Sequence, residues 1–220
     1  MSLREILSRL EPEAIPFPFS RLYSLISSSR MFMDFYEYAA SRVLERLPAG
    51  RVLDIGCGPG RLPILIASRN RYLHVTGVDA SPDMVKVARD LAAKKGLANV
   101  EFKAGRADEL PFGDGEFDLV ISTLSFHHWK RPEAALDEIH RVLRQGGEAW
   151  IYDIPKKASP DAWSRMKDRY GALSLILMRI YTLTEPFYDE ERLAEFSMES
   201  RFKRFEIGHT LFAFWLRLYK

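Results

Sequence analysis

A glycine-rich stretch, RVLDIGCGPGRL over residues 51–62, constrains the fold of this chain more than any other feature. Gly56, Gly58 and Gly60 stand at alternate positions after a short apolar run, and the acid Asp54 precedes them. Glycine is placed where a turn needs a positive φ or where a backbone must approach another group closely. The pattern predicts a strand that turns into a helix, with a ligand lying against the turn.

Strand-like and helical patterns alternate after this loop. The strand-like runs are RVLDIG, YLHVTGVD, NVEFKAG, FDLVISTLSF and GEAWIYDI, and helices begin at about Arg61, Ser81 and Pro132. We expect Ser81 to be an N-cap, with Pro82 at the first helical position and Gly96 just past the end. This order predicts parallel βαβ units and an α/β fold with a doubly wound sheet.

Two later signals complete the predicted sheet. Gly146 and Gly147 are expected to end the helix that starts at Pro132 and reaches Leu143. Near the end of the chain, KRFEIGHT and LFAFWLRLY are both strand-like and are separated by almost nothing. So short a connection predicts an antiparallel pair, which is unlike a second nucleotide-binding half.

Composition bounds the class of protein. A chain of 220 residues with 47% hydrophobic and 28% charged residues is typical of one soluble globular domain. Its net charge of +2 gives no reason to expect nucleic acid as a partner. The single cysteine, Cys57, cannot form an internal disulfide, and the charged amino terminus is unlike a secretory signal, so we expect a cytoplasmic protein.

The acids beside the glycine loop indicate what the ligand carries. In a doubly wound sheet, Asp79 at the end of the second strand faces the ribose of an adenosine-containing ligand. A nicotinamide dinucleotide would fit this much of the pattern as well. Asp54, however, would repel a pyrophosphate and suits an ammonium group.

Five ordered motifs, VLDIGCGPG, VDASPDM, ADELPF, FDLVIS and EIHRVLRQGGEAWI, together resemble the class I S-adenosylmethionine-dependent methyltransferases over about residues 50–153. The branch they are most similar to contains the ubiquinone and menaquinone biosynthesis enzymes and many small-molecule methyltransferases. The resemblance implies a Rossmann-like seven-stranded sheet of order 3-2-1-4-5-7-6, with strand 7 antiparallel. It also implies S-adenosyl-L-methionine as cofactor and S-adenosyl-L-homocysteine as product.

The same resemblance assigns cofactor-binding roles. Asp54 would help hold the methionine ammonium, often through water, Asp79 would bind the ribose, and Ala80 and Met84 would flank the adenine. Cys57 also reads as a small buried residue without chemistry. The full expected set is Asp54, Gly56, Cys57, Gly58, Gly60, Asp79, Ala80, Met84, Arg106, Ala107 and Ser122.

One position departs from the family pattern. Members commonly read Gly-Asp-Ala where this chain has Gly105, Arg106 and Ala107, and the family's Asp accepts from the adenine amino group. Arg106 has no acceptor atom. Either Asp108 reaches the adenine, or backbone groups recognise it while Arg106 stacks on the ring.

Adjacent histidines, His127 and His128, follow the fourth strand and are expected near the transferred methyl group. Adjacent side chains on an irregular segment point in different directions, so one of the two is expected to act as a base or to position the acceptor. The histidines lack the acidic or cysteine neighbours of a metal site, so no metal is expected. Tyr23 precedes the first helix, where the resemblance implies a segment that closes over the cofactor, so we expect Tyr23 to line the acceptor pocket.

The segments outside the core are expected to choose the acceptor. We expect a single domain, with a helical cap over residues 1–49, the cofactor-binding core over 50–154, a lid insertion over 155–188, and a terminal helix and hairpin over 189–220. Both the cap and the lid should lie over the carboxyl ends of the strands. The basic and apolar residues 156–181 favour a solvated helix face over a membrane-surface contact.

These patterns predict a monomeric or homodimeric methyltransferase that transfers a methyl group, by in-line displacement, to a small-molecule, quinone-like or lipid-like acceptor. A nicotinamide oxidoreductase would need a second nucleotide half. DNA adenine methylation is disfavoured because Ser122 to Ser125 replace the Asn-Pro-Pro-Tyr pattern of those enzymes. The alternative is a non-catalytic module that binds S-adenosylmethionine or supports a partner.

Overall fold

The computed structural model describes residues 29–156, 160–184, 186–210 and 213–220. Tyr23 therefore lies outside the described residues. The helices are α1 (Arg30–Arg46), α2 (Arg61–Arg69), α3 (Pro82–Lys94), α4 (Pro132–Val142), α5 (Pro160–Thr184) and α6 (Glu190–Glu199). The strands are β1 (Gly50–Ile55), β2 (Leu73–Asp79), β3 (Val100–Ala104), β4 (Phe117–Thr123), β5 (Leu143–Asp153), β6 (Arg204–His209) and β7 (Phe214–Tyr219).

One seven-stranded sheet runs through the molecule in the order β3-β2-β1-β4-β5-β7-β6. The first five strands pair in parallel, whereas β7 lies antiparallel to both β5 and β6. The predicted fold class and strand order are confirmed. The strand order reverses between β1 and β4, which is where open α/β sheets form a ligand crevice at the carboxyl ends of their strands.

Helix α3 begins and ends as the sequence predicts. The Ser81 side chain accepts a hydrogen bond from the Met84 N–H at 3.4 Å, and Pro82 occupies the first helical position. Gly96 follows the helix with φ 63°. The Ser81 cap fixes where α3 begins after β2. It therefore also fixes the position of Asp79, the last residue of β2.

The prediction that Gly146 and Gly147 end helix α4 is wrong. The helix ends at Val142, and β5 begins at Leu143, which is fully buried and pairs with Phe117 of β4. The β4–β5 register shifts between Phe117 and Leu119, and the two glycines fall within this irregularity. Burial of Leu143 against β4 therefore starts the strand early, and the glycines supply a bulge within it.

Helix α1 lies along one face of the sheet rather than over its carboxyl ends, which corrects the expectation for residues 29–49. Its buried residues, among them Phe35, Ala39 and Val43, join the core formed by β1, β4 and β5. Arg46 donates to Glu148 of β5 at 2.7 and 2.9 Å. The helix thus covers apolar sheet surface, and none of its residues lines the cleft described below.

Helix α5 is broken at Gly171, whose φ of 83° lies outside the helical region. Its first half is tied to α1, because Arg169 and Tyr170 both donate to Asp34, at 2.9 and 3.2 Å. Among the described residues, no helix is long and apolar enough to cross a membrane.

Candidate active site

A cleft open to solvent lies at the carboxyl edge of the sheet, at the ends of β1, β2 and β4. Several predicted site residues line it: Gly56, Gly58, Asp79, Ala80, Met84, Ala107 and His128. Other predicted residues are not among its walls: Asp54, Cys57, Gly60, Arg106, Ser122 and His127. The cleft sits where the strand order reverses, as the ligand rule for these sheets requires.

The glycine loop is shaped by close approach as well as by conformation. Gly56 has φ 71°, and its N–H donates to the Val78 carbonyl at 2.8 Å. A Cβ at this position would overlap the Ser125 side chain in the turn after β4. The loop backbone therefore packs directly against that turn, and only glycine allows it.

Asp79 is hydrogen-bonded to the loop and to the start of α3. Its Oδ2 accepts from the Gly58 N–H at 2.8 Å, and its Oδ1 accepts from the Ser81 N–H at 2.9 Å. Burial raises the pKa of this carboxyl, and the two hydrogen bonds oppose that rise. A carboxylate offers about four lone-pair sites. Asp79 can therefore accept from these two backbone N–H groups and still accept from two ligand hydroxyls.

Asp54 is a buried carboxyl without a hydrogen-bond partner in the described part of the chain. It is 1% exposed, and neither side-chain oxygen accepts a hydrogen bond there. Burial raises the pKa of Asp54 well above its ordinary value, and the charge of Asp79 raises it further. An unpaired buried carboxyl is costly. Asp54 directly precedes Ile55 and Gly56, which line the cleft. Its carboxyl therefore suits a cation such as the methionine ammonium.

Three predicted residues lie in the packed interior and not on the cleft wall. A Cβ on Gly60 would lie 2.8 Å from the Ala88 Cβ and from the Phe102 ring, so this glycine allows α2 to pack closely. Cys57 belongs to the same apolar cluster, and burial raises the pKa of its thiol well above the ordinary value. Ser122 is buried within β4, and its Oγ has no partner among the described residues.

Arg106 acts on Asp108 rather than on the cleft. Its Nε and Nη2 donate to the two Asp108 oxygens at 2.9 Å each, and Arg131 Nε donates to Oδ2 at 2.6 Å. Burial raises the pKa of Asp108, but the two arginines outweigh it and the net shift is downward. Asp108 lines the cleft and Arg106 does not. Of this pair, Asp108 is therefore the side chain that a ligand in the cleft could contact.

The two histidines have different surroundings, as expected for adjacent residues in a 3₁₀ turn, Phe126–His128. His128 lines the cleft, whereas His127 is 2% exposed and its Nδ1 lies 2.9 Å from both oxygens of Asp153. Burial, followed by the charge of His127, lowers the pKa of His128 to about 3, against the opposing effect of Asp153. His128 is therefore a neutral imidazole near pH 7.

The turn after β4 contributes more of the cleft than the sequence reasoning assigned to it. The additional lining residues from this turn and the start of α4 are Leu124, Ser125, Trp129, Lys130, Arg131 and Ala135. Ser125 also accepts from the Trp129 indole N–H at 3.2 Å. The available signal was position alone, because residues that follow a central strand of such a sheet face the ligand crevice.

Comparison with known proteins agrees with this geometry. A family model described as a methyltransferase domain matches residues 53–151. The uncharacterized methyltransferase YcgJ of Bacillus subtilis is 33% identical over 138 residues, which is 62% of this chain and 53% of that protein. The demethylmenaquinone methyltransferase of Thermus thermophilus is 37% identical over 117 residues, 53% of this chain and 52% of that protein. The chain thus spans about half the length of these relatives.

The fold extends further than the sequence similarity. A SAM-dependent methyltransferase from Aquifex aeolicus superposes with a TM-score of 0.66 at 21% identity, covering 93% of this chain and 99% of that chain. At this identity the likeness concerns the fold, which the sheet order shows independently. Residues 53–151 are thus similar to a methyltransferase domain, and the sheet topology is that of the Rossmann-like methyltransferase fold.

Proposed function

We propose that the cleft binds S-adenosylmethionine and that the chain transfers its methyl group to a small-molecule acceptor. The observation that carries this proposal is Asp54, a buried carboxyl without a described partner, next to a glycine loop whose Gly56 and Gly58 line the cleft. A bound ammonium would supply the charge and the hydrogen bonds that Asp54 lacks, directly or through water. No nicotinamide cofactor carries such a group at this position.

In this proposal, different residues around the cleft bind different parts of the cofactor. Asp79 accepts from the ribose hydroxyls with the lone pairs that its two backbone partners leave over. Asp108, held by Arg106 and Arg131, accepts from the adenine amino group. Ala80 and Met84 form the apolar wall beside the ring.

The bound cofactor supplies an electrophilic sulfonium methyl group. The protein then mainly aligns the acceptor in line with the methyl carbon and excludes water. An imidazole is an effective general base when its pKa lies near the working pH. Since the pKa of His128 is about 3, we assign it the positioning of the acceptor through a hydrogen bond, and the acceptor proton passes to solvent.

The acceptor that we propose to test first is a quinol. The Thermus thermophilus relative is named for demethylmenaquinone, and the cleft near His128 is partly walled by the apolar side chains of Leu124 and Trp129. A demethylated naphthoquinol with a short side chain would therefore be incubated with the purified protein and cofactor labelled in the methyl group. The proposal predicts label in the organic product, whereas a non-catalytic binding module predicts cofactor binding without labelled product from this or any other small acceptor.

A further inference from the structure

Asp153 is a buried carboxylate that no cofactor role explains. It is the last residue of β5, it is 1% exposed, and it lies behind the turn that carries His127 and His128. Its Oδ1 accepts from the Ile154 N–H at 2.8 Å, and its Oδ2 accepts from the His127 N–H at 2.9 Å. The His127 Nδ1 lies 2.9 Å from both oxygens. Asp153 thus fixes both the backbone and the ring of His127.

This contact determines which nitrogen of His127 carries a proton. A carboxylate only accepts, so the Nδ1 that faces it must be the protonated nitrogen. The orientation of the ring follows, because Nδ1 and the backbone N–H of the same residue are both tied to one carboxylate. The Phe187 ring also packs against His127, and the two ring centroids are 4.3 Å apart.

The fixed ring of His127 is the surface on which His128 rests. The two imidazole centroids are 4.0 Å apart with the rings inclined at 45°, and His128 lines the cleft while His127 does not. A displacement of His127 would therefore move the ring that faces the acceptor. Misplacement of a positioning group by about 1 Å can cost on the order of a hundredfold in rate.

We propose that Asp153 is a positioning residue for methyl transfer, acting through His127 to hold the His128 ring on the cleft wall. The inference rests on the function proposed above for the cleft. A buried charged pair is poor evidence for stability by itself, since an apolar pair of the same shape is often as stable. What the pair supplies here is a single tautomer and a single ring orientation next to the site.

Asp153→Asn tests this directly. An amide has one acceptor oxygen, so its NH₂ group would face one of the N–H donors that the carboxylate now satisfies. Asp118→Asn is the matched control. Asp118 also accepts from a backbone N–H, that of Arg51 at 2.6 Å, and it pairs with Arg144. It lies at the end of β4 opposite to the turn that carries the histidines. His127→Asn is the second variant. Its amide can still donate to Asp153, but it removes the ring on which His128 rests.

The measurement is the rate at which diethyl pyrocarbonate modifies His128, followed by peptide mass spectrometry with and without S-adenosylhomocysteine. Nitrogen-15 imidazole spectra report the tautomer of His127 in parallel. We expect His128 to be modified roughly tenfold faster in Asp153→Asn and in His127→Asn than in the wild type. A change of this size is expected from the loss of one buried hydrogen bond. The wild-type Nδ1–H signal should shift in Asp153→Asn, which keeps only one acceptor oxygen, and Asp118→Asn should match the wild type.

Affinity for S-adenosylhomocysteine separates the proposed function of the cleft from the proposed role of Asp153. We expect it to stay within about threefold in the variants, since none of the changed residues lines the cleft. If the wild type bound no S-adenosylhomocysteine, the proposed function would fail, while the modification rates would still decide the role of Asp153. If His128 reacted at the wild-type rate in both variants, or if His127 carried no proton on Nδ1, Asp153 would not be a positioning residue.

Discussion

The backbone N–H of Gly58 donates to Oδ2 of Asp79 at 2.8 Å, and so joins the glycine loop to the end of β2. The Gly56 and Cys57 N–H groups donate to the Val78 carbonyl next to it, at 2.8 and 3.0 Å. The loop after β1 and the acid after β2 therefore form one hydrogen-bonded unit at the point where the strand order reverses. Substitutions in the glycine loop or at Asp79 should therefore change the affinity for the ligand.

Gly56→Ala should abolish binding of S-adenosylhomocysteine. The new Cβ would overlap the Ser125 side chain, and φ is 71° there. Gly96→Ala is the matched control, because Gly96 has φ 63° but its Cβ would meet no other atom within 4 Å. It should cost only about 1 kcal/mol of stability. Calorimetric titration and thermal unfolding of both variants make the comparison. Equal losses of affinity would show that the close approach at Gly56 has no functional role.

Asp54→Asn should move stability and affinity in opposite directions. Because the folded pKa of Asp54 is raised, its ionised form destabilises the ligand-free protein, and stability is lost as pH rises through that pKa. The amide removes this penalty, so at pH 7 the ligand-free variant should be about 1–3 kcal/mol more stable. Its affinity for S-adenosylhomocysteine should fall. Urea unfolding and calorimetry measure the two effects, and an unchanged affinity would remove Asp54 from the site.

Asp108→Asn should weaken recognition of the adenine amino group. We expect wild type to prefer S-adenosylhomocysteine over S-inosylhomocysteine, which has an oxygen in place of that amino group. The variant can still accept through its amide oxygen, but it lacks the charge and loses one arginine contact, so the preference should shrink by roughly tenfold. Competition binding with both ligands measures this. A preference that stayed unchanged would favour recognition by backbone groups instead.

His128 should make stability depend on pH. Its pKa is lowered in the folded state, so below about pH 6.5 the unfolded chain takes up a proton that the folded chain does not. Its contribution to stability is complete above that pH and is lost as pH falls from about 6.5 toward 3. The free energy of unfolding of His128→Gln should therefore fall less steeply over this window, by up to about 1.4 kcal/mol per pH unit. Parallel slopes would contradict the assignment of His128 as a buried neutral imidazole.

Local signals explain why much of the fold was predictable. The cap of Ser81 with Pro82 and Gly96 fixed α3, and the short connection after β6 fixed the antiparallel edge. The prediction that Gly146 and Gly147 end α4 is wrong, because a bulge and a helix end both place glycine where φ is positive. What separates them is the burial of Leu143 against β4, which a local pattern does not contain.

The site was predictable where a residue follows a strand, and less so where a partner comes from elsewhere. Asp79 ends β2 and His128 follows β4, and position alone predicts that both lie near the cleft, which both line. Asp108 is also held by Arg131, 23 positions further along the chain, and His127 is held by Asp153, 26 positions further along. Such contacts follow from packing of the strand ends, and no spacing rule in the sequence reports them.

Calorimetric titration with S-adenosylhomocysteine, set beside the same titration with NADH and with Asp79→Asn, tests the account most directly. We predict a dissociation constant on the order of micromolar for the wild type, no measurable heat with NADH, and an affinity for S-adenosylhomocysteine at least roughly tenfold weaker in Asp79→Asn, through loss of a charge-assisted hydrogen bond. Failure of the folded wild type to bind S-adenosylhomocysteine, or equal binding by wild type and Asp79→Asn, would contradict it.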